Sequence, residues 1–273
     1  MKTAGFILNC NLPDYTDMLY ESLKPYERTD YDLFVIDNGS SKEGKSKHTS
    51  LELEENVYFG GGFNAAMQYT LENKQYDSMM FLNNDLTVHL YNFVRSLREY
   101  LWLYTGGSMA DDREPFENTH RPYYDIISPS FYNVEANKQC HWKSMHSWSA
   151  KEIRLVDYID FQCPLISRRL LEEVKEISPD LKYGWGICFY FALLAKQKNW
   201  KLGMVDRCCV LHHNSLTVKR GVAGLDIPTY CRRAEEGQYK FFAKTNLYND
   251  YIALRAEAEK YTYPRTNQSG WKS

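Results

Sequence analysis

The chain has 273 residues, 44% of them hydrophobic and 25% charged, which is ordinary globular composition. That length suffices for one large domain or two small ones with a core of useful size, and it excludes disorder, a collagen repeat and a bare coiled coil. With 33 Lys and Arg against 35 Asp and Glu the formal net charge is −2, so any nucleic-acid contact would need a local basic patch.

In chain order, Thr3 to Leu8 reads as a buried strand closing on Asn9, Cys10 and Asn11. It is too brief an apolar run for a signal peptide. Pro13 and Asp14 then open a helix with Tyr15, Met18, Leu19, Leu23 and Tyr26 on one face. Leu33 to Ile36 is a second strand, bounded by the turn-forming cluster Asp37, Asn38, Gly39 and Ser40. Asn56 to Phe59 leads into Gly60, Gly61 and Gly62, and Asn64 is expected to open a helix carrying Phe63, Ala66, Met67, Thr70 and Leu71 at helical spacing. Met79 to Leu82 is the next strand, ending in Asn83, Asn84 and Asp85.

Thr105 to Ala150 is richer in Gly, Asp, His and Pro than its flanks and reads as a long excursion, with Ile126 to Phe131 returning as a strand. Trp142 and Trp148 suggest a short hairpin, and Val156 to Ile166 a further strand pair before a helix from Ser167. From Tyr230 to Tyr261 a helical pattern spaces Phe241, Phe242, Tyr248, Tyr251 and Ile252 to bury one face. The residues from Pro264 read as a flexible tail. Strands alternating with helices predict an α/β fold with a mainly parallel sheet, whose ligands bind beyond the carboxyl ends of the strands.

Those ends carry Asn and Asp rather than the glycines, Lys and Ser/Thr of a phosphate loop. Carboxylates beside a phosphate ligand imply a bridging cation, Mg²⁺ or Mn²⁺, with Asp85 as its natural ligand. Gly60, Gly62 and Ala65 satisfy G-x-G-x-x-A, which would suit a dinucleotide and an NAD-dependent oxidoreductase. However, a complete βα unit precedes them, so the glycines are read as letting the backbone approach a nucleotide. Cys208, Cys209, His212 and His213 do not have a standard zinc spacing. Seven scattered Cys suit reduced thiols in a cytoplasmic protein, and no apolar stretch approaches the length of a membrane span.

In this order the segments Ile7 to Asn11, V-I-D-N-G-S at Val35 to Ser40, N-V-Y-F-G-G-G-F-N at Asn56 to Asn64 and F-L-N-N-D at Phe81 to Asp85 resemble the family 2 glycosyltransferases. These are inverting, nucleotide-sugar-dependent enzymes of the GT-A fold. The resemblance continues through D-F-Q-C-P-L-I-S-R-R at Asp160 to Arg169, Y-G-W-G-I at Tyr183 to Ile187 and V-L-H-H-N-S at Val210 to Ser215, and covers about four-fifths of the chain. It implies a GT-A (Rossmann-like) mainly parallel sheet flanked by helices. Residues 1–228 would form the glycosyltransferase domain, with 1–104 binding the nucleotide-sugar and 105–228 the acceptor. Residues 229–273 would be a helical C-terminal extension and tail.

Transfer of a sugar from a nucleoside diphosphate sugar, a UDP-sugar in the first place, to an acceptor hydroxyl with inversion is the activity implied. The hexosyl or pentosyl group is left open. By the same resemblance Asp37 contacts the donor base, Asn11 and the Cys10 region line its pocket, Asn64 lies near the ribose, and Asn38, Gly61 and Gly62 complete the nucleotide site. Asp85, with Asn83 and Asn84, occupies the metal motif, and His212 or His213 the histidine near the diphosphate, with His212 preferred.

One departure concerns the base. The family's acidic cluster before the last helix is replaced by Tyr183, Gly184, Trp185, Gly186, Ile187, Cys188 and Phe189, so Cys188 stands where the basic Asp is expected. Asp180 is the nearest alternative and Asp160 the next. A chain that binds the sugar nucleotide without turning it over is the alternative this departure suggests. Trp185 is read as an acceptor wall against a sugar face, with a packed aromatic as the alternative, and His141, Trp142, His146 and Trp148 are further acceptor candidates. The acceptor itself stays open among glycan, lipid-linked sugar, protein and modified phage DNA. For DNA the visible basic clusters are sparse: Arg168 with Arg169, Lys219 with Arg220, and Arg232 with Arg233. The tail helix could instead serve a homodimer contact or a peripheral membrane contact.

Overall fold

The computed structural model describes residues 2–27, 30–90, 92–102, 124–132, 145, 152–213, 216 and 225–260. His141, Trp142, His146, Trp148, Lys219, Arg220 and the tail from Pro264 lie outside the described residues.

Nine strands form one sheet among the described residues. They are β1 (Thr3–Asn9), β2 (Tyr31–Asn38), β3 (Thr49–Leu53), β4 (Ser78–Asn83), β5 (Leu86–Val88), β6 (Ile126–Phe131), β7 (Ile153–Leu155), β8 (Leu165–Ser167) and β9 (Leu202–His212). Their order is β3-β2-β1-β4-β8-β6-β9-β5, with β7 also on β9. The β1–β2, β1–β4, β2–β3 and β6–β9 pairings are parallel, whereas β5, β7 and β8 run against the rest, so six of nine strands share one direction. The strands at the centre are buried on both faces, as Val35, Ile36, Phe81 and Leu82 show at 0% exposure.

Helices α1 (Pro13–Leu23), α2 (Tyr58–Glu72), α3 (Phe93–Leu101), α4 (Arg168–Val174) and α5 (Ile187–Gln197) flank the sheet, and α6 (Ile227–Ala243) and α7 (Tyr248–Lys260) follow it. Pro13 begins α1 at a position where its missing N–H costs nothing. The α1 face differs from expectation: Thr16, Leu19 and Leu23 are buried, but Met18 is exposed. The C-terminal pattern is also narrower than its spacing predicts. Phe242 and Tyr251 are fully buried and stack with ring centroids 4.0 Å apart, while Tyr248 and Ile252 face solvent.

Two further expectations are corrected. Helix α2 begins at Tyr58, before the glycines, so Asn64 lies inside the helix rather than opening it, and the strand on that side is Thr49–Leu53. Val156 to Ile166 is not a strand pair but an irregular stretch ending in the short strand β8.

Helix α6 is sewn to the segment before α5. Asp180 pairs with Lys240 and Lys244 at 2.8 and 2.6 Å, and the Tyr230 hydroxyl donates to the Tyr183 carbonyl at 2.6 Å. A Cβ at Gly237 would stand 2.2 Å from the Asp180 carbonyl oxygen, so only glycine lets the two segments meet this closely.

Candidate active site at the carboxyl edge of the sheet

The parallel strands β1, β2 and β4 deliver Asn9, Asp37 with Asn38, and Asn83 to one edge, and β9 brings His212 to the same edge. On the β1 to β4 side a buried hydrogen-bonded relay ties these ends together. The Asn84 amide donates to the Thr16 hydroxyl at 3.1 Å, and that hydroxyl donates to the Asn9 side-chain oxygen at 2.9 Å. The Asn9 amide donates in turn to Asp37 Oδ1 at 2.9 Å and to the Gly44 carbonyl at 2.9 Å. Asp37 Oδ2 accepts the Ser40 backbone N–H at 3.0 Å, which leaves this fully buried carboxylate satisfied on both oxygens. Asn9 and Thr16 were not singled out from the sequence, although an amide beside a turn and a hydroxyl one helical turn into α1 are ordinary signals of such a relay.

The relay changes how several expected nucleotide contacts are read. Asn84 is buried and spends its amide on Thr16. Asn38 accepts from the Val57 N–H at 2.9 Å and donates to the Tyr58 carbonyl at 3.1 Å, joining β2 to the start of α2. Asn11, at φ 51°, accepts from the Ser41 N–H at 2.8 Å and so shapes the loop after β2. Asn64 clasps the backbone of Ile177, donating to its carbonyl at 3.0 Å and accepting from its N–H at 2.7 Å.

The glycines also have a packing role. A Cβ on Gly62 would lie 2.5 Å from Leu8 Cδ1, one on Gly61 2.4 Å from the Val57 side chain, and one on Gly60 2.9 Å from the Leu181 carbonyl. They lie in the first turns of α2 and let it press onto β1 and the Leu181–Lys182 backbone, so the G-x-G-x-x-A pattern here does not form a strand-to-helix loop around a dinucleotide.

On the other side, β5 pairs antiparallel with β9, Leu86 opposite His212, and the His213 N–H donates to the Asp85 carbonyl at 2.9 Å, which brings Asp85 to the end of β9. His212 Nε2 stands 3.1 Å from Asp85 Oδ1, with both side chains nearly inaccessible. The Leu216 backbone N–H reaches Asp85 Oδ2 at 3.1 Å. Burial alone would raise the Asp85 carboxyl, but the charge and hydrogen bond of His212 and the Leu216 N–H outweigh it and hold the group below the usual carboxylate range. His213, next along the strand, points to the opposite side and meets the Thr87 hydroxyl at 2.8 Å. Alternation along β9 likewise separates Cys208 from Cys209, and no group of three or more His, Cys, Asp or Glu side chains comes together among the described residues.

One carboxylate oxygen and one imidazole nitrogen are hard to intermediate donors that suit Mn²⁺ or Mg²⁺ when a diphosphate and water complete the shell. The Asp85–His212 pair therefore fits such a cation as two ligands, not as a full protein cage.

Cys188 lies buried with its sulfur 3.0 Å from the Tyr158 hydroxyl. Burial and the nearby Asp160 charge push its thiol up to about 12, so at neutral pH it is a protonated core side chain and not a base. Asp180 is held below the ordinary range by its hydrogen bonds to Lys240 and Lys244, and serves as the anchor of α6. Asp160 differs from both. It is partly exposed, its oxygens accept from the Phe161 N–H at 3.0 Å and the Gln162 amide at 3.1 Å, and it lies within electrostatic reach of both His212 and Cys188. Desolvation raises its pKa, against the opposing pull of His212 and those hydrogen bonds. Trp185 is 39% exposed between Gly184 and Gly186, whose φ values of 94° and 91° lie in the left-handed region that favours glycine.

No protein-family model matches the chain, and no curated protein does. Solved structures do. GalNAc-T7, in a crystal structure with UDP, GalNAc and Mn²⁺, aligns with 100% of this chain and 54% of its own at 14% identity and a TM-score of 0.55. TarS from S. aureus, residues 1–349 with UDP, aligns with 92% of this chain and 74% of its own at 12% identity and a TM-score of 0.49. Glucosyl-3-phosphoglycerate synthase from Mycobacterium tuberculosis, in complex with Mn²⁺, UDP and glucosyl-3-phosphoglycerate, aligns with 86% and 80% at 13% identity and a TM-score of 0.47. The chain thus has the GT-A fold of nucleotide-sugar glycosyltransferases.

Proposed function

We propose that the protein is a glycosyltransferase that moves a sugar from a nucleoside diphosphate sugar, a UDP-sugar in the first place, to an acceptor hydroxyl with inversion, as family 2 enzymes do. The observation that carries the reading is the buried Asp85–His212 pair, brought together where β5 pairs with β9 at the edge where β1, β2 and β4 also end. In an α/β sheet that edge is where ligands bind. The UDP and Mn²⁺ named with the GalNAc-T7 structure make a donor of this kind the first to test.

In this reading the relay Asn84–Thr16–Asn9–Asp37 keeps the base-binding end of β2 and the diphosphate end of β4 in fixed relation. Asp85 and His212 would hold Mn²⁺ or Mg²⁺, which neutralises the negative charge that grows on the leaving diphosphate. Asp160 accepts the proton of the attacking hydroxyl: its pKa is raised by burial, which improves a carboxylate as a base as long as it stays ionised. Trp185 offers the acceptor sugar an apolar face. Cys188 and Asp180 take no part in proton transfer.

Calorimetry with UDP, GDP, dTDP and NAD, each with and without Mn²⁺, tests the reading on wild type and Asp85→Asn. Manganese-dependent binding of one nucleoside diphosphate, weakened in the variant, is expected. Binding of no diphosphate would overturn the donor assignment. Binding without any sugar transfer or donor hydrolysis would favour a nucleotide-sugar-binding protein.

A further inference from the structure

Along the rim where α6 crosses the segment before α5, the carboxylates are already engaged. Asp180 holds Lys240 and Lys244, Glu236 holds Arg232 at 3.1 Å, and Glu235 holds Arg255 at 2.9 Å. Two exposed cations on the same rim, Lys182 and Arg233, have no carboxylate within ion-pair distance among the described residues. They converge instead on tyrosines. Lys182 Nζ lies 5.2 Å from the ring centroids of both Tyr58 and Tyr183, and Arg233 donates to the Tyr183 hydroxyl at 3.4 Å.

The two rings stand 4.6 Å apart, tilted by 56°, and Tyr230 backs Tyr183 edge-on at 5.4 Å. Tyr58 takes part from a left-handed backbone conformation, φ 58°, which a residue with a side chain adopts only at a cost. It begins α2 at the carboxyl edge, and Trp185 follows Tyr183 by two residues, so this cluster and the indole share the rim of the candidate active site. An ammonium and a guanidinium on the same tyrosine, neither held in an ion pair, are the donors that phosphoryl oxygens prefer.

We propose that Lys182, Arg233 and the Tyr58–Tyr183 pair bind a phosphoryl group carried by the acceptor whose sugar or alcohol lies against Trp185. The assignment of that group to an acceptor rests on the transferase reading above.

Phosphate binding to the full chain, measured by calorimetry at constant ionic strength with and without saturating UDP and Mn²⁺, tests it. Inorganic phosphate and glycerol 3-phosphate are the probes, with glycerol as the neutral control. In the double variant Lys182→Gln, Arg233→Gln, binding of both phosphates is expected to weaken at least tenfold. Arg232→Gln, whose cation is neutralised by Glu236, should leave it unchanged, and the charge-preserving Lys182→Arg, Arg233→Lys should restore most of it. Glycerol 3-phosphate bound at least as tightly as inorganic phosphate supports an anion carried on an organic acceptor. Inorganic phosphate alone would overturn the acceptor assignment. No phosphate binding by wild type, or equal binding by the double variant, would overturn the proposal. UDP affinity should be the same in all variants. If UDP fails to bind anywhere while the phosphate effect persists, it is the donor reading that fails.

Discussion

Replacing Asn9 with Leu, close to it in shape, deletes the centre of the relay without opening a large cavity. The side chain donates to the Asp37 carboxylate and the Gly44 carbonyl and accepts from the Thr16 hydroxyl, all three bonds in fully buried surroundings. A hydrogen bond to a charged group contributes about 1.5 to 3 kcal/mol and each neutral one about 1, so the substitution should cost about 3 to 5 kcal/mol. For a chain of this size, at about 2 to 3 °C per kcal/mol, the thermal midpoint should fall by roughly 6 to 15 °C. Asn11→Gly is the control. It removes one exposed bond, to the Ser41 N–H, and keeps a residue that tolerates φ 51°, so its midpoint should move by about 2 °C at most. The same Asn9 variant leaves Asp37 one donor short, and UDP affinity should drop by about tenfold, the equivalent of one such bond. Thermal and urea unfolding of the three proteins, followed by UDP titration, read both effects. A midpoint for Asn9→Leu within about 2 °C of wild type would refute the relay as a structural element.

Other outcomes follow from the same geometry. Asp160→Asn should lower transfer by roughly 10²- to 10⁴-fold while UDP binding holds, and Cys188→Ala should leave transfer near wild type; a reversal of the two in a UDP-release assay would return the base to position 188. Cys188 should resist iodoacetamide at pH 8 in the native state, since burial pushes its thiol to about 12, which mass spectrometry of the labelled protein checks. Asp180→Asn should cost about 1 kcal/mol at neutral pH by releasing two partly exposed lysines. Because the folded-state pKa of Asp180 is depressed, this contribution is present above its unfolded value near 3.9 and lost as pH falls through the folded value, so wild type and variant should converge in acid unfolding. Gly62→Ala drives a Cβ to 2.5 Å from Leu8 and should destabilise by about 1 to 3 kcal/mol in urea, with no change expected if α2 can shift outward.

The parts of the site legible in the sequence are those decided by strands. Apolar runs that stop at Asn or Asp announce both a strand and its polar end, and the structure puts Asp37, Asp85 and His212 on one edge because three such runs are parallel. Choosing His212 over His213 is not decided that way: the register sets Leu86 opposite His212 and the His213 N–H on the Asp85 carbonyl, yet it is the His212 ring that reaches the Asp85 carboxylate. The misread residues depend on distant partners or on ambiguous chemistry. Three glycines look the same whether a phosphate or another segment approaches them; here Leu8 and the Leu181–Lys182 backbone do. They also disguised the start of α2, because glycine is a poor helix former and Tyr58 enters in a left-handed conformation. Asp180 looked free for catalysis because Lys240 and Lys244 lie more than a full helix away in sequence. That error and the rim proposed to bind phosphate have a common root. A carboxylate is available for chemistry, and a cation for a ligand, only after the fold has finished pairing opposite charges. Once α6 has engaged Asp180, Glu235 and Glu236 in ion pairs, Lys182 and Arg233 are left against the tyrosines with no ion-pair partner among the described residues, an outcome that no reading of the local sequence around either residue could supply.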